Sequence, residues 1–208
     1  MKNQHDLGYR VLRAIFTPVF KLLYRPTIVN KHYLPRQGPA VIAGNHRHLL
    51  DPILVDVCTK RVVHALAKKE LHDGKFGWLF RLVSTIPVDR QAAKNPDALN
   101  RTIEYLKDGR LISISPEGRR NRTDEPLLPF KYGAVVAAIK SNSPIVPYAI
   151  TGVYKFFNNQ LTIVYGPPLE VASLGAEEAN QLLFDTVKAL LLASVDGNPP
   201  PLPDVVER

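Results

Sequence analysis

Residues 40–52, AVIAGNHRHLLDP, set five small or apolar residues in a row against a polar loop and an Asp-Pro pair. An apolar run without polar alternation fits a strand covered on both faces. Asp51-Pro52 suits a helix start, with Asp51 at the cap and Pro52 in the first turn, where a missing N–H does no harm. The order strand, loop, helix then recurs. Apolar runs at 86–88, 62–66, 111–115, 145–150 and 161–165 alternate with helical patterns at 52–59, 75–83, 96–108, 131–140 and 176–194. Around 96–108, Asn95 is read as the cap, Pro96 as first turn and Gly109 as stop. The alternation predicts an α/β fold: a mixed, largely parallel central sheet flanked by helices.

Upstream, residues 6–25 carry Val11, Leu12, Ile15, Phe16, Val19, Phe20, Leu22 and Leu23 at helical spacing, with Arg10, Arg13, Thr17, Lys21 and Arg25 on the other side. Pro18 removes a backbone donor within this stretch and predicts a kink or two short helices. Such an amphipathic helix fits the headgroup layer of a membrane, and equally a surface helix packed on its own domain. The chain divides into a docking segment (1–28), an α/β domain (29–196) and a proline-rich tail (197–208). No apolar run reaches the ~20 residues of a spanning helix, and the first residues carry no signal-peptide pattern. The expectation is a protein that lies on a membrane without crossing it.

A formal charge of +8 favours anionic partners. Nucleic acid is set aside because the aromatic fingerprint of RNA-recognition domains is missing. A single cysteine, Cys58, rules out an intrachain disulfide and a CxxC metal site.

Three clusters could carry chemistry. In the first, His46 and Asp51 are five residues apart, a rotation of about 140° on a helix. They meet only if His46 lies in the loop and the chain turns before the helix. A carboxylate beside an imidazole fixes its tautomer and stabilises the cation formed on taking a proton. Taken alone the pair fits three uses: a base that activates a hydroxyl, a cap beside a polar loop histidine, or, with His48, metal ligands. The second cluster, AKKEL at 67–71 with IPVDR at 86–90, offers Lys68 and Arg90 to an anion or to local ion pairs. The third, SPEGRRNR at 115–122, follows an apolar run and joins Gly118 to three arginines, which suits a phosphate.

The order and spacing of these blocks resemble the glycerolipid acyltransferases, in particular the 1-acylglycerol-3-phosphate acyltransferases. NHRHLLDP is similar to the family's histidine–four residues–aspartate block, AKKEL…IPVDR to its second region, SPEGRRNR to its Pro-Glu-Gly-Thr-Arg block, and SPIVPYAI to its closing block. The similarity spans about residues 35–170. It implies His46 as general base with Asp51 as its partner. It also implies an acceptor phosphate held by Lys68, Arg90 and Arg120, in a site shaped by Glu117 and Gly118. The acyl donor would be a fatty-acyl thioester, on coenzyme A or acyl carrier protein, with no metal or other cofactor. A lysophospholipid would be the acceptor, giving phosphatidic acid on the cytoplasmic face of a membrane. Glycerol 3-phosphate or another lysolipid is the near alternative. A metal-assisted lipid hydrolase and a non-catalytic binder of acidic lipids are the remote ones. Arg119 stands where the family has threonine, and His48 where serine is frequent.

Overall fold

A computed structural model describes residues 5–89 and 95–195, the side chains of 5–7 and 195 excepted. Seven strands form one sheet: β1 (Thr27–Val29), β2 (Ala40–Gly44), β3 (Val63–Lys68), β4 (Ile86–Val88), β5 (Leu111–Ile114), β6 (Ile145–Thr151) and β7 (Thr162–Tyr165). Their order is β1-β7-β6-β2-β5-β3-β4. Every neighbouring pair is parallel except β6 with β7. The helices are α1 (His5–Tyr24), α2 (Asp51–Val57), α3 (Lys69–Asp73), α4 (Gly77–Leu82), α5 (Pro96–Lys107), α6 (Gly133–Ser141) and α7 (Ala176–Val195). The mixed, largely parallel sheet matches the expectation. The proline-rich tail, 197–208, lies outside the described residues.

β2 is central and buried along its whole length, which is why its sequence shows no alternation. Val41 and Ala43 join Ile112 and Ile114 of β5 in a core closed by α5, α6 and α7. Ala40 and Ile42 face the other way, into a second core with Leu54 and Val55 of α2 and Phe20 of α1. At the end of β2 a Cβ on Gly44 would lie 2.2 Å from the Tyr148 carbonyl oxygen, so this close approach to β6 admits glycine alone.

Local signals held in some places and failed in others. Gly109, at φ +76°, ends α5 with its N–H on the Leu106 carbonyl, while the Arg110 N–H reaches Tyr105. Asn95 does not cap α5 through its side chain; its Oδ1 accepts the Asp89 N–H at 2.9 Å instead. β1 has three residues and owes its identity to pairing with β7, which no local pattern announces.

α1 runs through Pro18 as one helix rather than two. Its polar side is not all turned to solvent. Arg13, read as part of the polar face, turns to the domain, where its guanidinium donates to the Arg61 carbonyl at 2.9 Å and lies 3.8 Å from Asp56. The Tyr9 phenol donates to Asp56 and accepts the Val63 N–H at 3.1 Å, tying α1 to α2 and β3. Val11, Ile15, Phe16, Val19 and Leu22, by contrast, are 49 to 62 % exposed.

Burial pushes the Asp56 carboxyl up to about 7. An acid raised in the fold keeps its proton when the unfolded chain has lost its own, so stability is fullest below the ordinary carboxylate range. The Asp56 contribution to stability should therefore fall as pH rises from about 4 to about 7 and level off above that. Denaturant melts across this range check it: Asp56→Asn should flatten the slope.

Candidate active site

The site forms where β2, β5 and β3 end side by side, the carboxyl edge at which parallel sheets place their ligands. His46 lies in the loop after β2, and Asp51 is the first residue of α2. The ring Nδ1 is 2.8 Å from Asp51 Oδ2. A carboxylate only accepts, so Nδ1 carries the hydrogen and Nε2 holds the lone pair. The His46 side chain is 18 % exposed and that of Asp51 1 %, so a buried carboxylate backs a reachable imidazole.

Asp51 does not cap its own helix. Leu50 occupies the cap position, and no side-chain hydrogen bond caps the helix there. The Asp51 Oδ2 atom instead accepts the N–H groups of Arg47 and His48, each at 2.8 Å. Oδ1 accepts the Tyr154 phenol at 2.6 Å. These four donors make the burial of the charge tolerable, and they wrap the loop round it.

The main chain of His46 is clamped from both sides. Its N–H donates to Glu117 Oε1 at 2.7 Å, and its carbonyl accepts the Asn121 N–H at 2.7 Å. One residue earlier, the Asn45 amide exchanges two hydrogen bonds with Ile150, Nδ2 to its carbonyl at 2.9 Å and its N–H to Oδ1 at 2.7 Å. The side chain thus continues the ladder after β2 has ended.

Ser115–Gly118 form a turn, with the Gly118 N–H on the Ser115 carbonyl at 2.9 Å and Pro116 where a turn favours it. Gly118 takes φ +68°. Glu117 is buried, and its second oxygen accepts the Leu128 N–H at 2.9 Å. Desolvation raises its carboxyl, while the two backbone donors pull it back. With both oxygens engaged, Glu117 organises the site rather than meeting a ligand. An adjoining cleft of about 450 Å³ is lined by Glu117, Gly118, Arg119, Leu128, Phe130 and Lys131.

The cations follow along the same edge. Arg119 and Arg120 are exposed beyond Gly118. Ile42 pairs with Ser113 and Ser113 with Ala65, and Lys68 is the last residue of β3, on the edge where the loop carrying His46 begins. Two strand spacings separate β2 from β3, roughly 10 Å. Lys68 also pairs with Val88, which brings the end of β4 alongside. Arg90 lies outside the described residues.

Among the described residues no three His, Cys, Asp or Glu side chains are grouped to hold a metal. His48 Nδ1 accepts the Leu50 N–H at 3.2 Å, and its ring stacks on Tyr154. Sequence reasoning missed Asn45, Asn121 and Tyr154. Asn45 and Asn121 lie within the blocks NHRHLLDP and SPEGRRNR, but the side-chain partners that give them their roles, Ile150 and the Glu125 carbonyl, follow no local pattern.

Residues 25–151 match the family model described as Acyltransferase. The 1-acyl-sn-glycerol-3-phosphate acyltransferase of Bacillus subtilis is 31% identical over 169 residues, which are 78% of this chain and 83% of that protein. The human 1-acyl-sn-glycerol-3-phosphate acyltransferase beta is 28% identical over 181 residues, 85% of this chain and 65% of its own length. The crystal structure of the 1-acyl-sn-glycerophosphate acyltransferase PlsC from Thermotoga maritima shares the fold at a TM-score of 0.74 and 21% identity, covering 94% of this chain and 84% of that one. The chain belongs to the acyltransferase family and is an enzyme of that type.

Proposed function

We propose that the chain moves a fatty-acyl group from a thioester, on coenzyme A or acyl carrier protein, to the free hydroxyl of 1-acyl-sn-glycerol 3-phosphate, giving phosphatidic acid. The observation that carries this reading is the His46–Asp51 pair at 2.8 Å on the carboxyl edge of the sheet. His46 Nε2 takes the proton of the acceptor hydroxyl as its oxygen attacks the thioester carbonyl. The tetrahedral intermediate collapses, the C–S bond breaks, and the imidazolium returns its proton to the departing thiolate. Asp51 stabilises the imidazolium between the two steps. Lys68 and Arg120, with Arg90, hold the acceptor phosphate and so fix where the hydroxyl lies, and orientation of this kind supplies several kcal/mol. Glu117 and Gly118 shape that site, Glu117 through the main chain of His46.

The proposed setting is a membrane surface. No described helix is long and apolar enough to cross a bilayer. The exposed apolar face of α1 adjoins Val153, Phe156 and Phe157, which are also exposed. The Phe157 N–H donates to the Leu23 carbonyl, and Phe156 packs on Tyr24, so helix and loop make one surface. Phe157 holds φ +56°, an unfavourable conformation for a bulky residue. Lys21, Arg25 and Lys155 are exposed nearby, as acidic headgroups would require.

Thiol release with both donors against a panel of lysolipids tests the reaction. His46→Ala should lower kcat by about a thousandfold or more with the fold intact; near-normal turnover would end this mechanism. Arg120→Ala should raise KM for the phosphorylated acceptor roughly tenfold, as expected for one lost charge-assisted bond, and leave a neutral monoacylglycerol unaffected. Paired Ile15→Asp and Val19→Asp substitutions should release the protein from phosphatidylglycerol vesicles in a sedimentation assay.

A further inference from the structure

The Asp51 carboxylate divides its partners unequally. Three donors converge on Oδ2: the His46 ring, the Arg47 N–H and the His48 N–H. Oδ1 has Tyr154, at 2.6 Å, from a connection 103 residues downstream between β6 and β7. Bonds to one oxygen leave the carboxylate free to swing about its Cβ–Cγ axis; a donor on the other oxygen fixes its plane. Tyr154 is itself held in place. Its ring stacks on His48 with centroids 4.2 Å apart and planes inclined by 21°. It meets Tyr24 and Phe20 of α1 edge-on, at 5.6 and 6.5 Å. Burial and the Asp51 charge push its phenol far above the ordinary range, so it stays a donor at every working pH.

We infer that Tyr154 is a positioning residue for acyl transfer: its hydroxyl fixes Asp51 Oδ1, and thereby the angle at which Oδ2 meets His46. The inference rests on the reading of His46 as the base. It also gives His48 a part, since its ring forms one wall of the slot that Tyr154 fills. Removing the hydroxyl leaves a buried carboxylate oxygen without its donor. The charge then falls more heavily on Oδ2, holds the imidazolium more tightly, and slows the return of its proton. The other ionisable groups facing Asp51 and Tyr154 are His48 on the same loop, Cys58 at the end of α2, Tyr148 of β6 and Glu117 after β5. All four are retained when Tyr154 alone is changed.

The test uses the full chain on phosphatidylglycerol vesicles with His46→Ala as reference. Tyr154→Phe keeps the ring and its contacts. It should lower kcat roughly tenfold or more, the effect expected for one lost bond to a charged acceptor. KM for both substrates should stay within about threefold, and the acidic limb of the pH–rate profile should move to higher pH. Replacement of Tyr154 by 3-fluorotyrosine keeps ring and hydroxyl, strengthens the donor, and should move the same limb to lower pH. If both variants retain the wild-type kcat and profile while His46→Ala is inactive, the inference is overturned and the base reading stands. If His46→Ala is active, both fall.

Discussion

A charge taken out of water needs donors, and Asp51 sits in the structure with its carboxylate almost wholly buried and four donors upon it. Much of the site follows from that constraint. The loop between β2 and α2 curls so that two of its own amides reach one oxygen. The imidazole is drawn to the same oxygen, which settles its tautomer before any substrate arrives. The fourth donor requires the β6–β7 connection to cross above the loop. Glu117, a second buried carboxylate, does the corresponding work on the main chain, joining the loop after β5 to His46. Two anions thus hold three segments of chain in register, and preorganisation of this sort is what a transition state exploits.

What the sequence disclosed depended on whether the deciding partner was local. β2 was legible because five apolar residues lie together, and α5 because its stop at Gly109 is a short-range device. The meeting of His46 and Asp51 was legible as a condition, namely a turn before the helix. The role of Asp51 toward its neighbours was not. An aspartate before a proline reads as a helix cap, yet burial and three competing donors turned its oxygens back toward the loop. Tyr154 carried no signal, since its partner is 103 residues away. Asn45 was invisible for the same reason, although its amide continues the ladder beside β6.

The orientation of α1 was illegible for a different reason. Helical periodicity tells which residues share a face and is silent about which face meets the protein. Tyr9 and Arg13 found partners in Asp56, Val63 and Arg61, and that choice left Val11, Ile15, Phe16, Val19 and Leu22 outward while Phe20 turned into the core. A helix so arranged is wetted badly in water, which agrees with a lipid surface as its second partner. Through Phe20 and Tyr24 it also touches Tyr154, so the outward-facing helix and the buried carboxylate are two contacts apart.

The placing of β5 between β2 and β3 has a consequence for which hydroxyl reacts. Strand spacing in a sheet is set by backbone hydrogen bonds and hardly varies, at roughly 4.8 Å. Lys68, at the end of β3, and the loop that carries His46, after β2, are therefore held two strand spacings apart along one edge. Neighbouring carbons of a glycerol differ in their reach from the phosphate, so a fixed separation of base and cation favours one hydroxyl over the other. On the proposed chemistry the sheet is a gauge: it measures the acceptor from its phosphate, and regiochemistry is read from the interval between strands.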